Sequence, residues 1–213
     1  MRSRDNRPAV AGSGEVSGLG FLLALSRRID FLNEKIGQTV YWLVLAAVLV
    51  SSGNAVVRYL FNYSSNGWLE LQWYLFAGFF LVGSGYTLLR NEHVRIDIII
   101  SRLKPRTRAW IDLLGGIFFL MPMALIIMVL AWPVFTESFA LNEYSPNAGG
   151  LLRWPVKLMI PAGFFLLALQ GVSEIVKRAA YLKGLIPDPT PKHAHGSEEQ
   201  VADDMVMKQG DGK

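Results

Sequence analysis

The stretch WIDLLGGIFFLMPMALIIMVLAW, residues 110–132, carries a single charged side chain, Asp112, in 23 positions. At about 1.5 Å per helical residue it reaches across a hydrocarbon core of roughly 30 Å. Working outward, three more apolar segments have the same length and character: 39–60, 68–89 and 156–176. The sequence therefore predicts an all-α integral membrane protein with four transmembrane helices.

The basic residues give these helices a direction. Six of the 21 Lys and Arg precede the first segment, six lie between the second and third, and six follow the fourth. Only Arg58, Arg153 and Lys157 fall on the other side. The positive-inside rule then places both termini and the middle connection in the cytoplasm, which an even number of spans requires. The net charge of +4 belongs to helix flanks that meet anionic headgroups, so membrane lipids, and not nucleic acid, are the expected partners of these cations.

Several kinds of chemistry are excluded. With no cysteine there is no disulfide framework or Cys-based metal site. The three histidines, His93, His193 and His195, all lie outside the spans, so paired haem ligands within a bundle are ruled out. No nucleophile–base set stands out. The chain reads as a non-enzyme without a cofactor.

Organisation follows from composition. Residues 1–16 are polar and expected to be disordered, as is the Pro-, Asp- and Lys-rich tail 184–213. Over 17–36, Leu22, Leu25, Ile29, Leu32 and Ile36 recur at helical spacing among charged residues. That pattern predicts an N-terminal interfacial amphipathic helix, the alternative being a plain extension of the first span. The four-helix domain occupies 37–183. Its first two spans form a tight hairpin, and its longest connection, 133–155, contains the turn Ser145–Gly150 and ends at Trp154-Pro155, with Pro suited to a first helical turn.

Polar groups within the spans are the candidate functional residues, because each is costly there. Asn54 and Arg58 stand one turn apart near the outer end of the first span, and Glu70 stands at the same level on the second. Two readings of Glu70 are open. It forms an ion pair with Arg58 that registers the hairpin, or it carries a proton or cation in a self-sufficient small antiporter. Asp112, Glu174, Lys177 and Arg178 gather at the inner ends, either as an ion-pair cluster or as solvated termini. Gln170, deeper, needs a hydrogen-bond partner from a neighbouring helix or another subunit. Small residues (Ala77, Gly78, Ser84, Gly85, Gly115, Gly116 and Gly163) permit close helix approach. Trp and Tyr near the span ends, Trp73 and Trp154 among them, fit an interfacial belt.

Three ordered blocks carry a resemblance: NAVVRYLFN at 54–62; WLELQWYLF at 68–76 with RNEHVRID at 90–97; and SPNAGGLLRWPVK at 145–157 with IPAGF at 160–164 and Leu169-Gln170. Together they resemble the small membrane subunit of tripartite ATP-independent periplasmic (TRAP) transporters, nearest the branch labelled mannitol/chloroaromatic, over roughly 36–180. Many members place two adjacent carboxylates after the Trp, where this chain has Leu69 and Glu70. The resemblance implies a bacterial inner-membrane system for sodium-dependent symport of an organic acid or related solute. A periplasmic substrate-binding protein would deliver solute to a large membrane subunit, on which this chain packs. Asn54, Arg58, Glu70, Gln72, Trp73, His93, Asp97, Gly149, Gly150, Trp154, Lys157 and Gln170 then become interface or structural residues, not substrate ligands. The outer connection 133–155 becomes the side that meets the binding protein. A third reading is an assembly or regulatory membrane protein with no transport partner.

Overall fold

The computed structural model describes residues 13–63, 65–90 and 103–187, the side chains of 13–19 excepted. Among the described residues five α-helices carry the fold: α1 (Ser13–Phe61), α2 (Asn66–Leu89), α3 (Pro105–Gly115), α4 (Met121–Ala140) and α5 (Trp154–Leu182). A π-helical turn, Gly116–Leu120, joins α3 to α4 into one rod. Met121 N–H bonds back to the Gly116 carbonyl. Pro122, the next residue, has no N–H to give the ladder, and the wider turn accommodates that gap.

Three of these rods are long and apolar enough to cross a membrane: Gly20–Phe61, Pro105–Ala140 and Trp154–Leu182. The α2 helix has 24 residues, but Asn66, Glu70, Gln72 and its glycines dilute its hydropathy. Many large apolar and aromatic side chains on the helices are exposed, Phe80, Phe119 and Leu130 among them. A soluble protein does not leave such surfaces bare. The chain is an all-helical integral membrane protein.

The α5 helix is the hub, packing on α1, α2, α3 and α4. Its apolar window is 44% buried, against 11% in Gly20–Phe61 and 6% in Pro105–Ala140. Around it, Ala124, Leu167 and Ala168 form a small apolar core with Leu88, Leu120, Met121 and Phe164 packed against them. Tight contact with α2 depends on Gly163, where an added Cβ would stand 2.5 Å from the Leu81 carbonyl oxygen. Backbone cannot step aside as a flexible side chain does. Gly163→Ala is therefore expected to destabilise the bundle by about 1–2 kcal/mol, measurable by denaturant unfolding in detergent.

The structure redraws two sequence boundaries. Residues 17–36 and 39–60 belong to one unbroken helix, α1, with no break between the two segments. The only glycine between Asn33 and Val40 is Gly37, and it lies against the Tyr86 ring, where packing holds it helical. The contact face also differs from the apolar stripe: Ile29 is buried, but Leu22, Leu25 and Leu32 are exposed, while Ser26 and Asn33 are buried. The outer connection is shorter than 133–155, because α4 runs on through Pro133 to Ala140. The middle connection 91–102, with His93 and Asp97, and most of the 184–213 tail lie outside the described residues.

Candidate functional site

The end of the bundle that carries the α1–α2 and α4–α5 connections, which the Lys and Arg distribution predicts to be the outer one, is organised around Glu70. It stands in the second turn of α2, only 3% exposed, and its carboxylate meets the loop between α4 and α5. Asn147 Nδ2 donates to Oε1 at 3.0 Å and the Leu151 N–H to Oε2 at 2.7 Å. Ser145 Oγ donates a further short bond to Oε1. Two flanking bonds complete the attachment: Tyr74 Oη to the Leu152 carbonyl at 2.9 Å, and Asn66 Nδ2 to the Ala148 carbonyl at 3.1 Å. One anion thus holds three points of a loop, using the charge-assisted bonds that are strongest in a dry setting.

Loop sequence fits this purpose. Gly149 has φ +72°, the left-handed region that glycine adopts without strain. A Cβ on Gly150 would stand 2.4 Å from that of Ser145, so this turn closes only over glycine. The Gly150 N–H bonds to Asn147 O at 2.9 Å, and the Ser145 N–H to Leu151 O at 2.9 Å. An isolated antiparallel bridge, Tyr144–Leu152, seals the base.

A second clamp ties the loop to α5. Lys157 Nζ pairs closely with Glu143, and Arg153 Nη1 lies 3.5 Å from the same carboxylate. Trp154 packs edge-on against Phe139, ring centroids 5.4 Å apart, joining the ends of α4 and α5. The Lys157 hydrogen bond lowers the Glu143 pKa to about 2, from an ordinary 4.5. A depressed carboxylate stabilises the fold at pH above its ordinary value, and that contribution disappears as pH falls from about 4.5 towards 2. Hydrogen-exchange protection of residues 141–153, taken relative to the acid-slowed intrinsic rate, should therefore fall on acidification through that window. In Lys157→Met the change should shift towards the ordinary carboxylate range.

The inner half contains a polar seam between α1 and α5. Asn33 Nδ2 donates to Gln170 Oε1, and Gln170 Nε2 to Asp30 Oδ1, both at 2.9 Å. Ser173 Oγ donates to Asp30 Oδ1 at 2.6 Å and shares a 2.7 Å bond with Ser26 Oγ. Lys177 Nζ bridges two carboxylates, 3.2 Å from Asp30 and 2.5 Å from Glu174. A separate buried pair joins Arg178 to Asp112 at 3.3 Å, and Arg90 at the end of α2 pairs with Glu34 of α1.

The sequence-derived residues divide accordingly. Glu70, Gly149, Gly150, Trp154 and Lys157 come together in the outer assembly, and Gln170 finds its partners within the chain. The inner cluster of Asp112, Glu174, Lys177 and Arg178 resolves into two ion-paired groups. Arg58 does not pair with Glu70: it is exposed, with no ion pair or hydrogen bond among the described residues, because loop donors already surround the carboxylate. Gln72 and Trp73 line a shallow groove on α2 with Phe76 and Phe80. Asn54 is half-buried on α1.

Sequence reasoning missed Ser26, Asp30, Asn33, Tyr74, Glu143 and Ser173. The signal for the α1 set was present: Ser26, Asn33 and Gly37 continue the first span's contact stripe inward at spacings of three and four. Among the described residues no group of three or more metal-binding side chains occurs. Beside Lys177, both oxygens of Asp30 and Oε1 of Glu174 are engaged by donors of this chain.

Such a molecule is a small helical membrane component whose buried polar residues, Glu70 and Gln170 among them, bond within the chain. The family model for tripartite ATP-independent periplasmic transporters, DctQ component, matches residues 47–180. The chain belongs to this family and is the small membrane component of a TRAP transporter. No curated protein and no solved structure matches the chain.

Proposed function

We propose that this chain is a four-span, inner-membrane subunit with both termini in the cytoplasm, packing on a large permease and presenting its outer loop to a periplasmic substrate-binding protein. In this role it supports ion-gradient-driven import, by sodium-coupled symport, of an organic acid or related solute. Within the family, its sequence blocks favour the branch labelled mannitol/chloroaromatic. The asymmetry of its Lys and Arg supports the orientation.

The observation that carries this reading is the fixed outer loop. Glu70, the one carboxylate at the outer end of α2, is consumed in holding residues 145–151 in place. A loop held this firmly suits recognition by a second protein, since preorganisation lowers the ordering cost of association. The same geometry argues against Glu70 as an ion carrier, which needs a carboxylate free to exchange partners.

Reconstitution tests the reading. Vesicles holding this chain alone should show no flux in response to sodium or proton gradients. Adding the large permease and the binding protein should give uptake from a panel of organic acids. Gradient-driven flux through the chain alone would sink the proposal.

A further inference from the structure

The contact stripe of α1 continues beyond the bundle that covers it. Its buried positions are Ser26, Ile29, Asn33, Gly37 and Val40, three or four residues apart, and Ala47, two turns further on. Continued at the same spacing, the stripe runs through Ser51, Asn54 and Arg58. Burial fades along this extension: Ser51 and Asn54 are half-covered and Arg58 is exposed. The inner part of the stripe is satisfied by α2 and α5 of this chain. The outer part is polar, and neither Asn54 nor Arg58 has a hydrogen bond or ion pair among the described residues.

Lipid does not account for this surface. Arg58, near the helix end, has the length to reach outer headgroups. Asn54 lies one turn deeper on a short stem, and hydrocarbon offers an amide nothing to bond. A stripe that is contact surface for half its length, and carries an unsatisfied amide and a guanidinium beyond, fits a protein neighbour supplying acceptors.

We propose that the Ser51–Asn54–Arg58 face of α1 is the seat of the large permease. The occupant would be a transmembrane helix offering a carbonyl or side-chain oxygen to Asn54 and a carboxylate to Arg58. The surface continues the interface that α1 already makes inside the chain, so one helix joins the two subunits. This rests on the small-subunit reading above.

The chain has no cysteine, so one introduced thiol reports one position. Ser51→Cys, labelled with a benzophenone maleimide and photolysed in membranes containing the large permease, should give an adduct of the two subunits. Arg58→Glu should lower co-purified permease on the order of tenfold, as expected when a desolvated ion pair becomes a like-charge contact. Arg58→Lys should retain most of it. Because Arg58 is exposed, unfolding of the isolated chain should be the same in all three forms. If wild-type chain brings down the permease but Ser51→Cys links only to lipid or to a second copy, the proposed face is wrong. If wild-type chain brings down no permease, the small-subunit reading fails and this proposal with it.

Discussion

Glu70→Ala is expected to lower solute uptake by about tenfold or more, the scale of losing charge-assisted bonds that hold a binding surface. Preference among solutes should stay unchanged. The reason is geometric. Without the carboxylate, the Leu151 N–H, Asn147 Nδ2 and Ser145 Oγ lose their common acceptor, while the loop retains only its internal turn and the bonds to Asn66, Tyr74 and the Glu143 clamp. Residues 141–153 should then become sensitive to external protease, with α2 and α5 still packed through Gly163. Glu70→Gln keeps the shape but loses the charge, so it should fall between wild type and Ala. A changed solute profile with an intact, protease-resistant loop would show instead that Glu70 touches the transported molecule.

The second large effect lies at the inner seam. Gln170 is fully buried and is the one side chain that both accepts from Asn33 and donates to Asp30. Gln170→Ala leaves Asn33 Nδ2 only its 3.4 Å bond to the Ile29 carbonyl, removes one bond of Asp30 and opens a cavity, an expected loss of about 2–4 kcal/mol. Gln170→Glu sets a third carboxylate beside Asp30 and Glu174 and should be worse. Denaturant unfolding in detergent measures both. Cross-linking between positions near Ser26 and Ser173 would show whether the N-terminal half of α1 has come away from α5. Full stability in Gln170→Ala would mean that apolar packing alone seats α1.

How much of this was legible in the sequence depends on the kind of signal. Helical class and the approximate spans follow from long apolar runs, because hydrocarbon solvent leaves the chain little choice. Ends were less legible. Pro133 reads as a terminator, yet α4 continues to Ala140: a proline distorts a membrane helix without ending it when neighbouring groups engage the freed carbonyl. The carbonyl that Pro133 frees is that of Val129, four residues back, and Thr136 Oγ1 bonds separately to Pro133 O at 3.0 Å. The segment 17–36 reads as amphipathic because Leu22, Leu25, Ile29, Leu32 and Ile36 recur at helical spacing among charged residues. Which face would be covered depended on α5, 140 residues away.

The outer assembly was half legible. Glu70, Gly149, Gly150, Trp154 and Lys157 stood out singly, as a charge in a span, a turn and a helix start. Their convergence did not, because a carboxylate at a helix end has a near partner in sequence, Arg58, and three distant ones in the loop. The three loop donors come from one turn and engage the anion together, which a lone exposed guanidinium does not match. Periodicity offers no clue to such long-range polar pairing.

The most direct test of the central claim is to purify the tagged chain from its native membrane in mild detergent and identify what co-elutes by mass spectrometry. A single larger multi-spanning permease in fixed stoichiometry is the result expected of the small component of a TRAP transporter. Recovery of this chain alone, as a stable homo-oligomer, would contradict the account.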